Sequence, residues 1–132
     1  MSPVILITGA SRGLGAAIVS YLLEKSSAKL VLVSRNAEAL QVVKSANPNR
    51  VDYLATDVAA TSAPANILKR VKSSFGRLDS VIVNHGVLEP VAKLVDTDID
   101  AWREGFDINF FAVVALVRTW DGPRWVNANR YR

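Results

Sequence analysis

A glycine-rich segment near the amino terminus reads Thr8-Gly9-Ala10-Ser11-Arg12-Gly13-Leu14-Gly15. The apolar run 3–7 precedes it and predicts a buried strand. Residues at helical spacing follow it: Leu14, Ile18, Tyr21 and Leu22. The segment is therefore a strand-to-helix turn. Gly9 suits the tight turn because it has no Cβ, Gly13 allows the backbone to approach a bound group, and Gly15 allows the helix to press against the strand.

The start of this predicted helix is suited to binding an anion. Its first N–H groups lack partners within the helix, and the helix dipole places positive charge at the same end. A diphosphate fits such a site well. The spacing T-G-x-x-x-G-x-G differs from the simplest dinucleotide pattern, G-x-G-x-x-G, but it has the strand–turn–helix context that this function requires. The alternative is a glycine-rich turn that binds no ligand.

The composition is typical of a globular domain. The chain has 132 residues, of which 50% are hydrophobic and 21% are charged. It contains no cysteine, which fits a reducing compartment and excludes disulfides. Because no signal peptide and no apolar run of about 20 residues is visible, we expect a cytoplasmic chain that does not bind membranes. The net charge of +4 is not gathered into a basic stripe, so we expect no nucleic-acid binding. We also expect no metal site.

Strand and helix patterns alternate four times along the chain. Strands are predicted over 4–8, 29–34, 50–56 and 78–83. Helices are predicted over 13–26, after Asn36, after Thr61 or Ser62, and from Asp98 or Asp100. Pro64 is tolerated in the first turn of the third helix, and Gly76 ends it. The alternation predicts an α/β fold, the N-terminal half of a Rossmann-type, doubly wound parallel sheet with about four strands.

Apolar residues at helical spacing mark the faces that we expect to be buried. In the second helix they are Ala37, Leu40 and Val43, and in the third they are Ile67, Leu68, Val71 and Phe75. In the long fourth helix they are Trp102, Phe106, Phe110, Val113 and Val117.

Ligands of such folds bind beyond the carboxyl ends of the strands, next to the point where the strand order reverses. Ser34 lies about 20 residues past the glycines, where NAD-binding proteins carry a carboxylate for the ribose 2′-hydroxyl. Arg35 follows it, and a guanidinium there pairs well with a 2′-phosphate, which Arg12 can also reach. The sequence favours NADP(H) over NAD(H). The alternative is two solvated arginines on loops.

These motifs together resemble the short-chain dehydrogenase/reductase family. The loop matches the family's cofactor motif, which implies cofactor contacts for Thr8, Gly9, Ser11, Arg12, Gly13, Leu14 and Gly15. Asp57-Val58 matches the family's aspartate that contacts the adenine ring. The segment 83–86 matches the family's Asn-Asn-Ala-Gly in part, because Asn84 and Gly86 are kept and two positions differ.

The resemblance extends to the long helix and to a branch of the family. Asn109 matches the active-site Asn that helps to hold a water next to the catalytic lysine. The stretch 86–109 is similar to fungal carbonyl reductases of the benzil-reductase type. The resemblance implies a partial NAD(P)-binding domain over 1–118, a divergent tail over 119–132, and hydride transfer between NADPH and a small carbonyl substrate.

Two residues after the fourth strand have more than one interpretation. His85 has a side chain whose pKa lies near neutrality, which suits acid–base catalysis. No orienting partner is identifiable from the sequence, so the favoured interpretation is a loop residue beside the cofactor. Asn84 either serves the cofactor site or ties strand four to its neighbour through its amide.

The residues that would complete the family's chemistry are not found in the sequence. The resemblance requires a Ser that holds the carbonyl, a Tyr that transfers the proton, and a Lys four residues after the Tyr. The pair Tyr21 and Lys25 has this spacing, but it lies on the first helix with Tyr21 expected in the core, and we expect no catalytic role. The sequence departs from the pattern near Thr119, which indicates a truncation, an altered splice product or a shifted frame.

We therefore expect adenosine-phosphate binding with little or no turnover. The alternatives are a non-catalytic nucleotide-binding or partner-binding module, a reductase completed by another subunit, and, last, a basic nucleic-acid binder. Without later strands, strand four becomes an exposed apolar edge and the long helix lacks neighbours. Such surfaces favour self-association.

Overall fold

The structure, a computed structural model, describes residues 1–120, so most of the expected tail lies outside the described residues. Its strands are β1 (Val4–Thr8), β2 (Lys29–Ser34), β3 (Val51–Ala55) and β4 (Ser80–Ile82). Its α-helices are α1 (Gly13–Lys25), α2 (Ala37–Ala46), α3 (Ala63–Phe75), α4 (Ile99–Phe106) and α5 (Ala112–Thr119). A π-helical segment, Asp107–Phe111, joins α4 to α5, and a 3₁₀ turn, Leu94–Asp96, precedes them.

The four strands form a parallel sheet in the order β3-β2-β1-β4. β1 pairs with β2 from Val4↔Lys29 to Thr8↔Val33, and with β4 from Ile5↔Ser80 to Ile7↔Ile82. The strand order thus reverses beside β1, which confirms the predicted α/β, Rossmann-type topology. β3 and β4 are the outer strands of the described sheet.

Both faces of the sheet are buried, as the apolar sequence of β2 predicts. Val31 and Val33 face one core cluster, together with Ile67 and Val71 of α3 and Leu116 of α5. The other cluster contains Leu30 and Leu32 of β2, Val19 of α1 and Leu40 of α2. Helices therefore cover both faces, and the carboxyl ends of the strands are left open between the two helical layers.

The predicted helix boundaries agree closely with the structure. Asn36 caps α2, because its Oδ1 accepts a hydrogen bond from the N–H of Ala39 at 3.0 Å. Asp98 caps α4 in a similar way, accepting from the N–H of Asp100 at 2.9 Å. Gly76 ends α3 in a left-handed conformation with φ of 74°. Ser62 precedes α3 but makes no side-chain capping hydrogen bond.

Some predicted core faces are wrong. Tyr21 is 63% exposed and Leu14 is 70% exposed, whereas Val19 is the large buried residue of α1. Helical spacing shows that residues share a face, but it does not show how far that face reaches under the sheet. Ala37 is likewise exposed, and Leu40 alone is fully buried on α2.

The predicted long helix differs most from the structure, both in its helical pitch and in which of its residues are buried. The N–H of Ala112 bonds to the carbonyl of Asp107, five residues earlier, so the helix is locally wider than an α-helix. This extra residue rotates the following helix, and Ala112 and Leu116 become the buried residues. The predicted stripe is largely on the surface, since Trp102, Phe106, Phe110 and Val117 are exposed. Trp102 and Phe106 lie on α4 before the π-helical segment, so the rotation accounts only for the residues after it. None of the described helices has the length and hydrophobicity to cross a membrane.

Candidate cofactor-binding site

A cleft of about 500 Å³ lies at the carboxyl ends of the strands. It brings together residues from the glycine loop and from the ends of all four strands: Gly9, Ser11, Arg12, Gly13, Leu14, Ser34, Arg35, Asn36, Thr56, Asp57, Val58, Asn84, His85, Gly86, Val87 and Ile108. Most of the predicted site residues therefore line one cavity. Thr8, Gly15 and Asn109 do not line it.

The glycine loop has the backbone geometry that its sequence predicts at two positions. Gly9 and Gly13 have φ of 64° and 55°, a conformation that residues with a Cβ rarely adopt. A Cβ added to Gly13 would have no described atom within 4 Å, so the loop is open on its cleft side. We call this open space beside Gly13 the cradle; a side chain at position 13 would fill it.

Gly15 permits a close approach of the first helix to the ends of two strands. A Cβ on Gly15 would lie 2.0 Å from the carbonyl oxygen of Gly9 and 2.6 Å from Nδ2 of Asn84. Its absent side chain therefore lets the start of α1 approach Gly9, which directly follows β1, and Asn84, which follows β4. Any larger residue would push the loop apart.

The amino terminus of α1 faces this cradle without a cap. Arg12, at the capping position, makes no side-chain hydrogen bond to the helix, and the first turn holds no acidic residue. No described residue accepts a hydrogen bond from the N–H groups of Gly13 or Leu14. Because these donors and the positive end of the helix dipole are available beside an open space, the loop fits a diphosphate group.

Two arginines and one aspartate give the cleft its charge. Arg12 and Arg35 are both exposed, and neither forms an ion pair with any residue in 1–120. Ser34 is buried, and its Oγ accepts a hydrogen bond from the N–H of Asn36 at 3.2 Å. Asp57 Oδ1 accepts from the N–H of Ala59 at 3.0 Å, which fixes the turn after β3. The end of β2 is thus cationic, with no carboxylate of its own.

Thr8 and the residues after β4 form a hydrogen-bond network beneath the cleft. The fully buried Thr8 accepts from the N–H of Asn84 at 3.0 Å and from the N–H of His85 at 3.3 Å. Its Oγ1 also lies 2.8 Å from Nδ1 of His85, whose Nε2 lies 3.1 Å from the carbonyl oxygen of Ile108. The Asn84 amide donates to the carbonyl of Gly9 at 3.2 Å. This bond supports the interpretation that Asn84 ties strand four to its neighbour.

Asn109 holds the segment after β4 from the other side. Its Oδ1 accepts from the N–H of Val87 at 2.8 Å, and its Nδ2 donates to the carbonyl of Val87 at 2.7 Å. The side-chain amide thus pairs with Val87 as a neighbouring strand would. A Cβ on Gly86 would lie 3.3 Å from Asn109 Oδ1, so Gly86 permits the close approach.

His85 is a titratable group of the cleft whose pKa is shifted. Partial burial lowers the pKa of His85 below its usual range, and the hydrogen bond to the Ile108 carbonyl raises it in part. The neutral imidazole is therefore the stable form near pH 7. Within residues 1–120, no three side chains of the metal-binding types come together.

Comparison with known proteins identifies the family and the fold. Residues 3–120 match the short chain dehydrogenase family. The chain belongs to the short-chain dehydrogenase/reductase family. An uncharacterized oxidoreductase of Schizosaccharomyces pombe is 46% identical over 116 residues, which make up 87% of this chain and 45% of that protein. The Saccharomyces cerevisiae benzil reductase ((S)-benzoin forming) is 34% identical over 123 residues, which cover 89% and 47% of the two chains.

Solved structures of short-chain dehydrogenases superpose well on this chain. The KRED1-Pglu enzyme has a TM-score of 0.86 and 42% identity, covering 89% of this chain and 49% of that one. The L-sorbose reductase of Gluconobacter frateurii, complexed with NADPH and L-sorbose, has a TM-score of 0.79 and 30% identity, covering 89% and 46%. The chain thus spans about half the length of the relatives it matches.

Tyr21 and Lys25, the two α1 residues with the spacing of the family's catalytic Tyr and Lys, lie away from the cleft. Tyr21 and Lys25 do not line the cavity, and Lys25 pairs with Glu24 at 2.6 Å. The contacts of His85 with Thr8 and Ile108 were not predicted from the sequence. A usable signal was present, since parallel neighbours β1 and β4 end at the same edge and place a buried Thr beside a His.

Proposed function

We propose that this chain carries the cofactor-binding half of an NADP(H)-dependent short-chain carbonyl reductase. One observation carries the proposal: the cleft joins an open glycine loop to Arg12 and Arg35, and within residues 1–120 neither the first N–H groups of α1 nor these two guanidinium groups have a partner. An NAD-selecting carboxylate is absent from the end of β2, where Ser34 is buried. A dinucleotide with a 2′-phosphate has the charge that this wall of the cleft would bind.

Each part of the cleft has a role in this proposal. The N–H groups at the start of α1 would hold the diphosphate, and Gly13 would leave space for it. Arg35 would pair with the 2′-phosphate, with Arg12 as a second donor. Asp57 and Val58 would lie against the adenine. The nicotinamide group, when bound, supplies the hydride, and the residues of this chain orient it through the segment after β4.

The names of the relatives support a small carbonyl compound as the substrate of the complete enzyme. One relative is a benzil reductase, and one structural neighbour binds NADPH together with L-sorbose. The chain spans about half the length of the benzil reductase that it matches, and we expect it to lack the family's catalytic Ser, Tyr and Lys. We therefore propose cofactor binding with little or no turnover by this chain alone.

A second proposal concerns association between copies of this chain. β4 is an outer strand of the described sheet, and the helix after it exposes Trp102, Phe106, Phe110 and Phe111. An unpaired strand edge beside an apolar surface favours self-association. A partner-binding module remains the alternative function that would use the same surface.

Calorimetric titration of the full chain tests the proposed function. NADPH and adenosine 2′,5′-bisphosphate should bind more tightly than NADH. Arg35→Asp should weaken NADPH binding by about tenfold or more, because a charge-assisted pair with phosphate is replaced by repulsion, and should affect NADH less. Arg103→Ala, which removes an exposed arginine of α4, is the control and should change neither affinity. Equal losses for both cofactors in Arg35→Asp would contradict the assignment.

A further inference from the structure

The hydroxyl oxygen of Thr8 already accepts as many hydrogen bonds as it can. A hydroxyl oxygen accepts two hydrogen bonds and donates one. The N–H groups of Asn84 and His85 occupy both acceptor positions, at 3.0 and 3.3 Å. The Thr8 O–H must therefore donate to Nδ1 of His85, which lies 2.8 Å away. Nδ1 then carries no proton.

The other ring nitrogen leads to the same assignment independently. Nε2 of His85 lies 3.1 Å from the carbonyl oxygen of Ile108, which can only accept. Nε2 must therefore carry the proton. A neutral imidazole with its proton on Nε2 satisfies both contacts, and every other protonation state leaves a mismatch with Thr8, with Ile108 or with both.

We propose that His85 is a positioning residue that, as the neutral Nε2–H tautomer, fastens the π-helical segment 107–111 to the end of β1. We call the chain of contacts Thr8–His85–Ile108 the histidine bridge. The residue after Ile108 is Asn109, whose amide makes two hydrogen bonds to Val87 on the wall of the cleft. By holding Ile108, the bridge thus fixes the position from which Asn109 makes its hydrogen bonds to Val87.

Protonation would break the histidine bridge at Thr8. An Nδ1–H would point at an oxygen whose lone pairs are already used by two backbone N–H groups. The charged side chains that share the cleft are Arg12, Arg35 and Asp57, and Asp107 lies next to Ile108 in the chain. The lowered pKa of His85 is caused by burial, offset in part by the Ile108 carbonyl, so these charges do not set it.

The full chain has one histidine, which makes a direct spectroscopic test possible. Long-range ¹H–¹⁵N correlation spectra of the uniformly labelled chain, without cofactor, should show a single neutral imidazole with the proton on Nε2 at pH 7.5. A proton on Nδ1, or averaged signals from two exchanging tautomers, would overturn the proposal. Because no nucleotide is present, this outcome is independent of whether the proposed function is correct.

Two substitutions separate the halves of the bridge. In His85→Gln the amide NH₂ can occupy the position of Nε2–H and donate to Ile108, whereas His85→Asn can reach only Thr8. We expect the Val87 N–H, which bonds to Asn109, to exchange with deuterium about tenfold faster in His85→Asn than in His85→Gln, since only His85→Asn loses the hydrogen bond to the π-helical segment that carries Asn109. Equal exchange rates in both variants and the unaltered chain would overturn the positioning role.

A pH profile completes the test. The protection factor of the Val87 N–H, which is corrected for the intrinsic pH dependence of amide exchange, should decrease with falling pH in the unaltered chain and should stay constant in His85→Gln, which lacks any histidine. A protection factor that stays constant between pH 5 and 8 in the unaltered chain would refute the requirement for a neutral imidazole.

Discussion

His85 links protonation to the stability of the folded chain. Because burial lowers its pKa in the folded state, the unfolded chain takes up a proton near the ordinary value of 6.5 while the folded chain does not. Stability should therefore be constant above that pH and should decrease as pH falls from it toward the lowered value. Urea unfolding at a series of pH values checks this. The difference between the unaltered chain and His85→Gln isolates the effect, and a difference that does not vary with pH would contradict it.

Substitution of Gly13 can separate the effect of filling the open space beside the glycine loop from the effect of the unfavourable backbone conformation. Gly13→Val should abolish NADPH binding in calorimetry, because the side chain would fill the open space where the diphosphate is proposed to bind. It should also cost about 1–2 kcal/mol in stability, since its φ of 55° is unfavourable for a residue with a Cβ. Gly76→Val is the matched control: Gly76 also has a positive φ and open surroundings, but it lies at the end of α3. It should lose similar stability and keep its affinity.

The π-helical segment determines which face of α5 reaches the core. Leu116→Ala should therefore destabilise the chain by about 2–5 kcal/mol, because a fully buried side chain is replaced by a cavity. Val117→Ala, one residue further on an exposed face, should change stability by less than about 0.5 kcal/mol. Urea denaturation of the two variants measures the contrast. Equal losses would mean that α5 is rotated from its described position.

Most strands and helix ends could be predicted from the sequence, but the π-helical segment could not. β1 and β2 follow directly from apolar runs that are buried on both faces, and Asn36 and Gly76 mark helix ends through their own chemistry. Periodicity failed after Asp107 because it assumes one helical pitch, and a π turn changes the pitch through a hydrogen bond that no residue type announces.

The residues that line the candidate site could be predicted from the sequence. The contacts among them could be predicted only in part. The carboxyl ends of parallel strands meet at one edge, so Gly9, Arg35 and Asp57 could be placed together from the strand pattern. The contacts of His85 with Thr8 and Ile108 depend on residues distant in sequence. Such contacts follow from packing and leave no periodic signal.

The molecule as a whole should associate through its apolar helix. Sedimentation velocity of the full chain should show a concentration-dependent increase in mass, and Phe110→Glu should reduce it because a charge is placed on the exposed apolar surface. Val42→Glu is the control: Val42 is 66% exposed on α2, away from this surface. A monomer at all concentrations, or equal effects of the two substitutions, would contradict the proposed association.

The strand order also has a consequence during synthesis of the chain. β1 is made first, yet its second neighbour is β4, and the Val4 N–H bonds to a carboxylate oxygen of Asp79, 75 positions later. At ordinary elongation rates, roughly 4 to 15 s separate the two residues on the ribosome. Throughout this interval one side of β1, whose residues are apolar except for Thr8, has no partner in the growing chain. The nascent protein should therefore depend on chaperones most while α2 and α3 are being translated.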